Sequence, residues 1–375
     1  MHICHIVFRF DIGGLENGII NILNQLPSTD YKHSIVCLSD YNPDFFQRIQ
    51  AENVAIYALN KRPGKDFGYL KRLYHLLRQI RPDVVHSRNL NTLECQAVSW
   101  IAGVRHRIHG EHGWDSEQAK TRYKPILIRK LFSPLISHYV ALSGETEHYL
   151  TDKVGITDNR IQRICNGVNT DRFSPSSIAS PTAGPTTDQA LVIGTVGRLA
   201  SVKNQQLLVR AFANLLRDNS PISDQLRLII AGDGPCRQQL LELVKQLQIE
   251  ESVSLPGACN DVPALMSSLS LYVQPSLAEG ISNTILESMA SGLAVVTTDV
   301  GGARELVHPG YNGEITENNH LEQLTAALQH YVDDPQLLRQ HGSNSRALAV
   351  NQFSIDTMAG HYDGLYQRLT QGRKA

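Results

Sequence analysis

Short apolar runs alternate with amphipathic stretches from one end of the chain to the other. In the first half, ICHIVF, HSIVCL, VAIYAL, DVVHS, HRIHGE and HYVAL predict strands. Between the first two, Leu15, Ile19, Ile20, Leu23 and Leu26 fall on one face of a helix. Strands alternating with helices predict a parallel α/β architecture. Residues 174–190, SPSSIASPTAGPTTDQA, are rich in Pro, Ser, Thr and Gly and read as a linker or exposed loop. After them the pattern restarts. LVIGTVG, LRLIIAG, VSLPG, LSLYVQP, LAVVTTD and GEITE predict strands. Helices are expected near 203–218, 236–248, 283–291, 319–331 and 335–350, with DTMAGHYDGLYQRLTQ as a last amphipathic helix.

The chain has 375 residues, more than one ordinary core needs and enough for two domains. The predicted fold is α/β, with two doubly wound, Rossmann-like domains facing each other across a cleft. The first spans 1–173, the second 191–353, with 174–190 between them. Ligands of such sheets sit at the carboxyl ends of the strands.

Composition narrows the function only a little. Net charge is −1, which gives no general affinity for nucleic acid. The halves differ: residues 1–175 hold 22 Lys+Arg against 17 Asp+Glu, and residues 176–375 hold 13 against 19. Ten of the 15 histidines also lie in the first half. A basic half suggests an anionic partner, phosphorylated or at a membrane surface. Six scattered cysteines with no CxxC pair indicate neither a zinc ribbon nor a redox dithiol, and buried free thiols are expected. The start MHICHIVFRF lacks the features of a signal peptide, and no apolar run approaches the length of a membrane span.

The run AEGISNTILESMASG is the most informative for chemistry. Glu279 and Glu287 stand eight apart around a helix opened by Ser282, Asn283 and Thr284. Ser282 can cap that helix, and its first N–H groups and dipole attract phosphate. Glu287 suits a ribose diol and Glu279 the hydroxyls of a donor sugar; alone, the pair also fits a solvated helix face. Gly197-Arg198-Leu199 with Lys203-Asn204 places two cations where they can clamp a diphosphate, or forms an ordinary charged turn. Gly13-Gly14 after the first strand and Gly232-Asp233-Gly234 after LRLIIA permit close approach of a ligand, or merely a tight turn. In His109-Gly110-Glu111-His112-Gly113-Trp114-Asp115, His112 suits a sugar hydroxyl or the charge developing at a reacting carbon. A structural histidine, or a metal held by His109, Glu111 and His112, is the alternative there. No HExxH spacing supports the metal. No GxGxxG occurs, which argues against a dehydrogenase.

Taken in order, GGLE, HGEHGWD, Asn166-Gly167-Val168-Asn169 with Phe173, GRL…KN, GDGP and E-G-x₆-E resemble the family 4 retaining glycosyltransferases of the GT-B fold. The resemblance covers nearly the whole chain and leans toward bacterial enzymes of exopolysaccharide or lipid-linked oligosaccharide synthesis. It implies that Gly14 presents its N–H to the donor phosphates and that Arg198 and Lys203 stabilise the departing diphosphate. It further implies Glu287 on the ribose, Glu279 on the donor sugar and His112 near the reacting centre. Glu16, His86 and Trp114 are the candidates on the acceptor side. The last helix, 354–375, is expected to cross back onto the first domain, and neither metal nor cofactor is required. Asn169 stands where the family often has Asp.

The expected activity is transfer of a sugar from a nucleoside diphosphate, UDP or GDP, to a glycan or lipid-linked acceptor. A UDP-sugar 2-epimerase of the same plan and a non-catalytic nucleotide-sugar binder are the alternatives. The expected place is the cytoplasm, with peripheral contact to anionic membrane through residues 120–132 or 71–81, both of which mix cations with apolar residues. Ordinary surface helices are the competing reading of those two segments.

Overall fold

The computed structural model describes residues 1–64, 66–112, 123–175, 190–218 and 223–371. Trp114, with Gly113 and Asp115, lies outside the described residues, as does most of the 174–190 segment. The chain forms two compact units, Met1–Gly167 with Ile355–Ala375, and Val168–Ser354.

The first unit is built on seven parallel strands: β1 (His2–Val7), β2 (Lys32–Cys37), β3 (Val54–Ala58), β4 (Val84–Arg88), β5 (His106–Glu111), β6 (His138–Ala141) and β7 (Ile161–Arg163). Their order is β3-β2-β1-β4-β5-β6-β7. Every residue of β1 and β4 is buried, as expected of strands covered on both faces. The helix Gly14–Gln25 buries Ile19, Ile20, Ile22 and Leu23. The last helix, Ile355–Gln371, belongs to this unit. Its Met358, Tyr362, Leu365 and Tyr366 share a core with Ile3, Ile22 and Val84.

Most of the first half's histidines that lie on strands are buried, and they do not form a basic surface. His2, His5, His33, His86 and His109 are at most 9% exposed. Burial holds His5 and His86 well below the ordinary imidazole pKa and lowers His33 to about 4. His2, His5, His33 and His86, all with lowered pKa values, are neutral hydrogen-bonding groups threaded through a parallel sheet, and add nothing to the unit's charge.

The second unit carries six parallel strands: β8 (Leu191–Val196), β9 (Leu226–Ala231), β10 (Val253–Gly257), β11 (Leu271–Gln274), β12 (Ala294–Thr298) and β13 (Gly313–Thr316). Their order is β10-β9-β8-β11-β12-β13. Residues 168–173, placed with the first domain by sequence, pack in this unit. Arg346 Nη1 ties them there, donating to the carbonyls of Thr170 at 2.9 Å and Phe173 at 2.8 Å, and to Ala290 at 2.6 Å. Both sheets reverse direction beside their first strand, at β1/β4 and at β8/β11. The carboxyl ends at those reversals are where a ligand is expected.

Candidate active site

In the second unit the loop after β8 carries Gly197 and Arg198. Gly197 N donates to Ala231 O and Leu199 N to Asp233 O, both at 2.9 Å, tying this loop to the one after β9. That contact explains Gly232 and Gly234. Their φ values are +143° and +152°, and a Cβ on either would lie 1.9 Å from Gly197 O or 2.4 Å from Leu199 O. The close approach that these glycines permit is therefore backbone to backbone. Arg198 is left exposed, and no described residue pairs with its guanidinium.

Lys203 ends a single tight turn, Ser201–Lys203, and Asn204 follows in the left-handed region at φ +49°. The helix begins only at Gln205, so Lys203 stands before it. Its ammonium forms an ion pair with Glu279. Ser276 Oγ donates to the same carboxylate oxygen at 2.8 Å. The Glu279 loop is braced from β12. Gly301, at φ +55°, has no Cβ to meet Glu279 O 2.2 Å away, and Gly302 N donates to Gly280 O at 3.0 Å. These two glycines support the site and were not singled out in the sequence, although a Gly-Gly pair after a strand is a turn signal.

The helix Asn283–Ala290 is capped by Ser282, whose Oγ accepts from Ile285 N at 3.3 Å. The same hydroxyl donates to Gln274 Oε1 at 2.6 Å, and Thr284 Oγ1 donates to it at 3.0 Å. Gln274, the last residue of β11, thus gathers both hydroxyls, and what they leave for a ligand is the N–H groups of the first turn. Glu287 lies one turn further on. It is half-buried, and its carboxylate accepts no hydrogen bond from any described residue. Burial raises its pKa to about 7, against a weaker downward pull from Arg172.

In the first unit the loop after β1 leads to Gly13, the extended N-cap of the helix Gly14–Gln25, which has no side-chain cap. Glu16 folds back over it: a Cβ on Gly13 would lie 2.3 Å from Glu16 Oε2. Burial raises the Glu16 pKa, while a hydrogen bond to its own amide and the charge of Arg88 oppose the rise.

At the end of β5, Glu111 is 1% exposed and held by Arg129, whose Nε and Nη2 donate at 2.6 and 2.9 Å. Burial alone would raise its pKa; hydrogen bonds from His109 and Arg129 bring it down to about 2. This carboxylate is committed to structure. His112 follows, and its N–H donates to Asn89 Oδ1 at 2.8 Å. Asn89 sits at φ +60°, ψ 165°, a strained position for a residue other than glycine. Burial and the nearby Arg88 lower the His112 pKa to about 3, so its imidazole is neutral. His86 lies on β4, its Nδ1 3.0 Å from Tyr366 Oη. Sequence reading passed over Arg88 and Asn89, because the apolar run that marks β4 stops before them.

Matches to known proteins are extensive. The profile described as Glycosyltransferase Family 4 matches residues 12–172, and that of Glycosyl transferases group 1 matches 181–348. The chain belongs to the family 4 glycosyltransferases. It is 25% identical over 382 residues to the Escherichia coli UDP-Gal:alpha-D-GlcNAc-diphosphoundecaprenol alpha-1,3-galactosyltransferase, covering 97% of this chain and 96% of that one. It is 35% identical over 164 residues to the Campylobacter jejuni N-acetylgalactosamine-N,N'-diacetylbacillosaminyl-diphospho-undecaprenol 4-alpha-N-acetylgalactosaminyltransferase, 43% of each chain. Among solved structures, Anabaena HepE in complex with UDP matches with a TM-score of 0.81 at 21% identity, over 98% of this chain and 100% of that one. That likeness establishes the GT-B fold expected from the motifs.

Proposed function

We propose that this glycosyltransferase moves a sugar from UDP or GDP to a lipid-linked or glycan acceptor, with retention of configuration and without a metal ion. The observation that carries the reading is Glu287. A half-buried carboxylate with no hydrogen-bond donor, one turn into a Ser282-capped helix, fits a ribose diol. The diphosphate then lies against the N–H groups of the helix start near Asn283, with Arg198 and Lys203 as its cations. A sugar leaving a nucleoside diphosphate builds negative charge on the β-phosphate, and fixed positive groups stabilise it in place of a divalent cation. The donor displaces Glu279 from Lys203, and the freed carboxylate accepts from the sugar hydroxyls. The acceptor attacks on the side that the diphosphate leaves, and the departing phosphate takes its proton, so no covalent nucleophile is needed.

The E. coli and C. jejuni relatives act on substrates carried by undecaprenyl diphosphate, as their names state, which favours a lipid-linked acceptor for this chain. The deciding experiment is calorimetric titration with UDP and with GDP in excess EDTA. Micromolar binding of one nucleotide is expected; a folded protein that binds neither sinks the donor-site reading.

A lipid-linked acceptor favours peripheral contact with the inner face of the cytoplasmic membrane. No helix among the described residues is long and apolar enough to cross it. Of the two segments considered from sequence, the helix Gly68–Ile80 turns Tyr69, Leu73 and Leu77 inward and is an ordinary surface helix. The helix Tyr123–Phe132 differs: Tyr123 is 74% exposed, Leu127 51% and Leu131 73%, beside exposed Lys124 and Lys130. That face suits an anionic bilayer. Leu127→Glu with Leu131→Glu is expected to abolish co-sedimentation with phosphatidylglycerol vesicles and to leave nucleotide binding intact. Unchanged sedimentation of the double variant would remove this helix from the membrane contact.

A further inference from the structure

Arg88, the last residue of β4, is 2% exposed. A buried guanidinium ordinarily faces a carboxylate, because an unpaired charge is costly to bury. Arg88 does not. Its Nη1 donates to His5 Nδ1 at 3.0 Å and to the His86 carbonyl at 3.5 Å; its Nη2, shut from solvent beside the phenols of Tyr362 and Tyr366, has no hydrogen-bond partner among the described residues. Glu16 feels the charge without forming an ion pair with it. His5, accepting at Nδ1, carries its proton on Nε2 and passes it toward His33 Nδ1 at 3.3 Å. The imidazole chain spreads the charge without cancelling it.

Two more unpartnered atoms lie close by. His86 Nε2 and His112 Nε2 are both buried and have no hydrogen-bond partner among the described residues. They converge over Gly110, where an added Cβ would lie 3.2 Å from the first and 2.8 Å from the second. His86 Nδ1 lies 3.0 Å from Tyr366 Oη; in the tautomer in which the phenol donates, His86 Nε2 carries a proton. Among the described residues, no carboxylate forms an ion pair with Arg88; Glu16 acts on it only at longer range. Tyr362 and Tyr366 from the last helix are phenols that burial keeps protonated, and Glu111 of β5 is already spent on Arg129. A guanidinium N–H at the end of β4, an imidazole nitrogen from within β4 and another just after β5, all without a partner among the described residues, make a clamp for an oxyanion.

We propose that Arg88 Nη2, His86 Nε2 and His112 Nε2 form a subsite for a phosphoryl oxyanion carried by the acceptor. This rests on the glycosyltransferase reading. Both substrates of such a reaction can bring a phosphoryl group. The donor's diphosphate already has Arg198, Lys203 and the helix start at Asn283, which leaves this clamp to the acceptor.

The test uses the full-length protein and inorganic pyrophosphate, titrated with and without saturating UDP. It is followed by calorimetry and by the histidine ring signals in NMR. Pyrophosphate is expected to bind alongside UDP and to shift the His86 and His112 signals. Arg88→Gln is expected to weaken it roughly tenfold or more with UDP affinity unchanged. Arg88→Lys keeps the charge without the fork and should fall between the two, which covers a failure of Arg88→Gln to fold. Equal pyrophosphate affinity in the folded variants overturns the proposal. So does loss of the pyrophosphate response once UDP is bound, which would assign the oxyanion to the donor. A response to methyl α-glucoside and none to pyrophosphate overturns it in favour of a neutral sugar. Failure of UDP itself to bind would instead strike the donor-site reading on which the subsite depends.

Discussion

Replacing Arg198 with alanine should lower turnover of the nucleotide sugar by about two to three orders of magnitude, the usual cost of removing one preorganised donor from a site of developing charge. The melting temperature should stay where it was. Both halves of this expectation follow from one observation: Arg198 is exposed and no described residue uses its guanidinium. Truncating an exposed, unpaired side chain changes stability by roughly 0.5 kcal/mol or less. Lys203 makes a useful contrast. Its ammonium is already neutralised by Glu279, so Lys203→Ala removes a cation and also strands a half-buried carboxylate, and its effects on activity and stability are mixed. Arg198 isolates the electrostatic contribution. Arg198→Lys restores a point charge without the planar fork and should recover only part of the rate. The assay is release of UDP or GDP under saturating donor. Turnover equal to wild type in Arg198→Ala would remove this loop from the chemistry and, with it, the account of how the leaving diphosphate is stabilised.

The sheets were readable in the sequence because strands buried on both faces are written as apolar runs. β7 was not, because Ile161–Arg163 is three residues long, half-buried, and paired on one side only with β6. The start of the helix after Lys203 was misplaced by two residues, because the apolar periodicity carries no mark of the left-handed Asn204 that separates turn from helix. Among the site residues, those grouped in one short segment were legible. Ser282, Asn283, Thr284 and Glu287 belong to one cap and one helix, so the chemistry is local in the chain. Gln274 was invisible. A glutamine ending an apolar strand carries no signal until folding brings Ser282 and Thr284 onto its carbonyl oxygen. Arg88 was hidden for the same reason, since its meaning comes from His5 on β1 and His112 after β5. The histidines misled in the opposite direction. Counted along the chain they suggest a basic surface; inside the sheet His2, His5, His33 and His86 are buried and neutral.

Glu287→Gln should make the ligand-free protein more stable at pH 8 and bind nucleotide worse. Burial raises the folded-state pKa of Glu287 from 4.5 to about 7. Below about pH 4.5 the group is protonated in both folded and unfolded chains and contributes nothing. Between 4.5 and 7 the unfolded chain gives up its proton while the folded chain keeps it, so stability falls as pH rises. Above about pH 7 the cost is complete, at most roughly 3 kcal/mol for such a shift. The glutamine removes that cost. Two hydroxyls of a ribose donating to the ionised carboxylate would favour the charged form. Nucleotide binding should therefore release a proton near pH 6 and strengthen as pH rises from 5.5 to 8. Calorimetry in two buffers of different ionisation enthalpy measures the proton, and urea titration at pH 5 and pH 8 measures the stability. In Glu287→Gln the affinity should fall roughly ten- to a hundredfold, the worth of hydrogen bonds to a charged acceptor, and its pH dependence should vanish. A variant that bound nucleotide as tightly as wild type would show that the raised pKa has nothing to do with the ribose. A variant less stable at pH 8 would show that the carboxylate has a partner in the folded protein, against the geometry described for it.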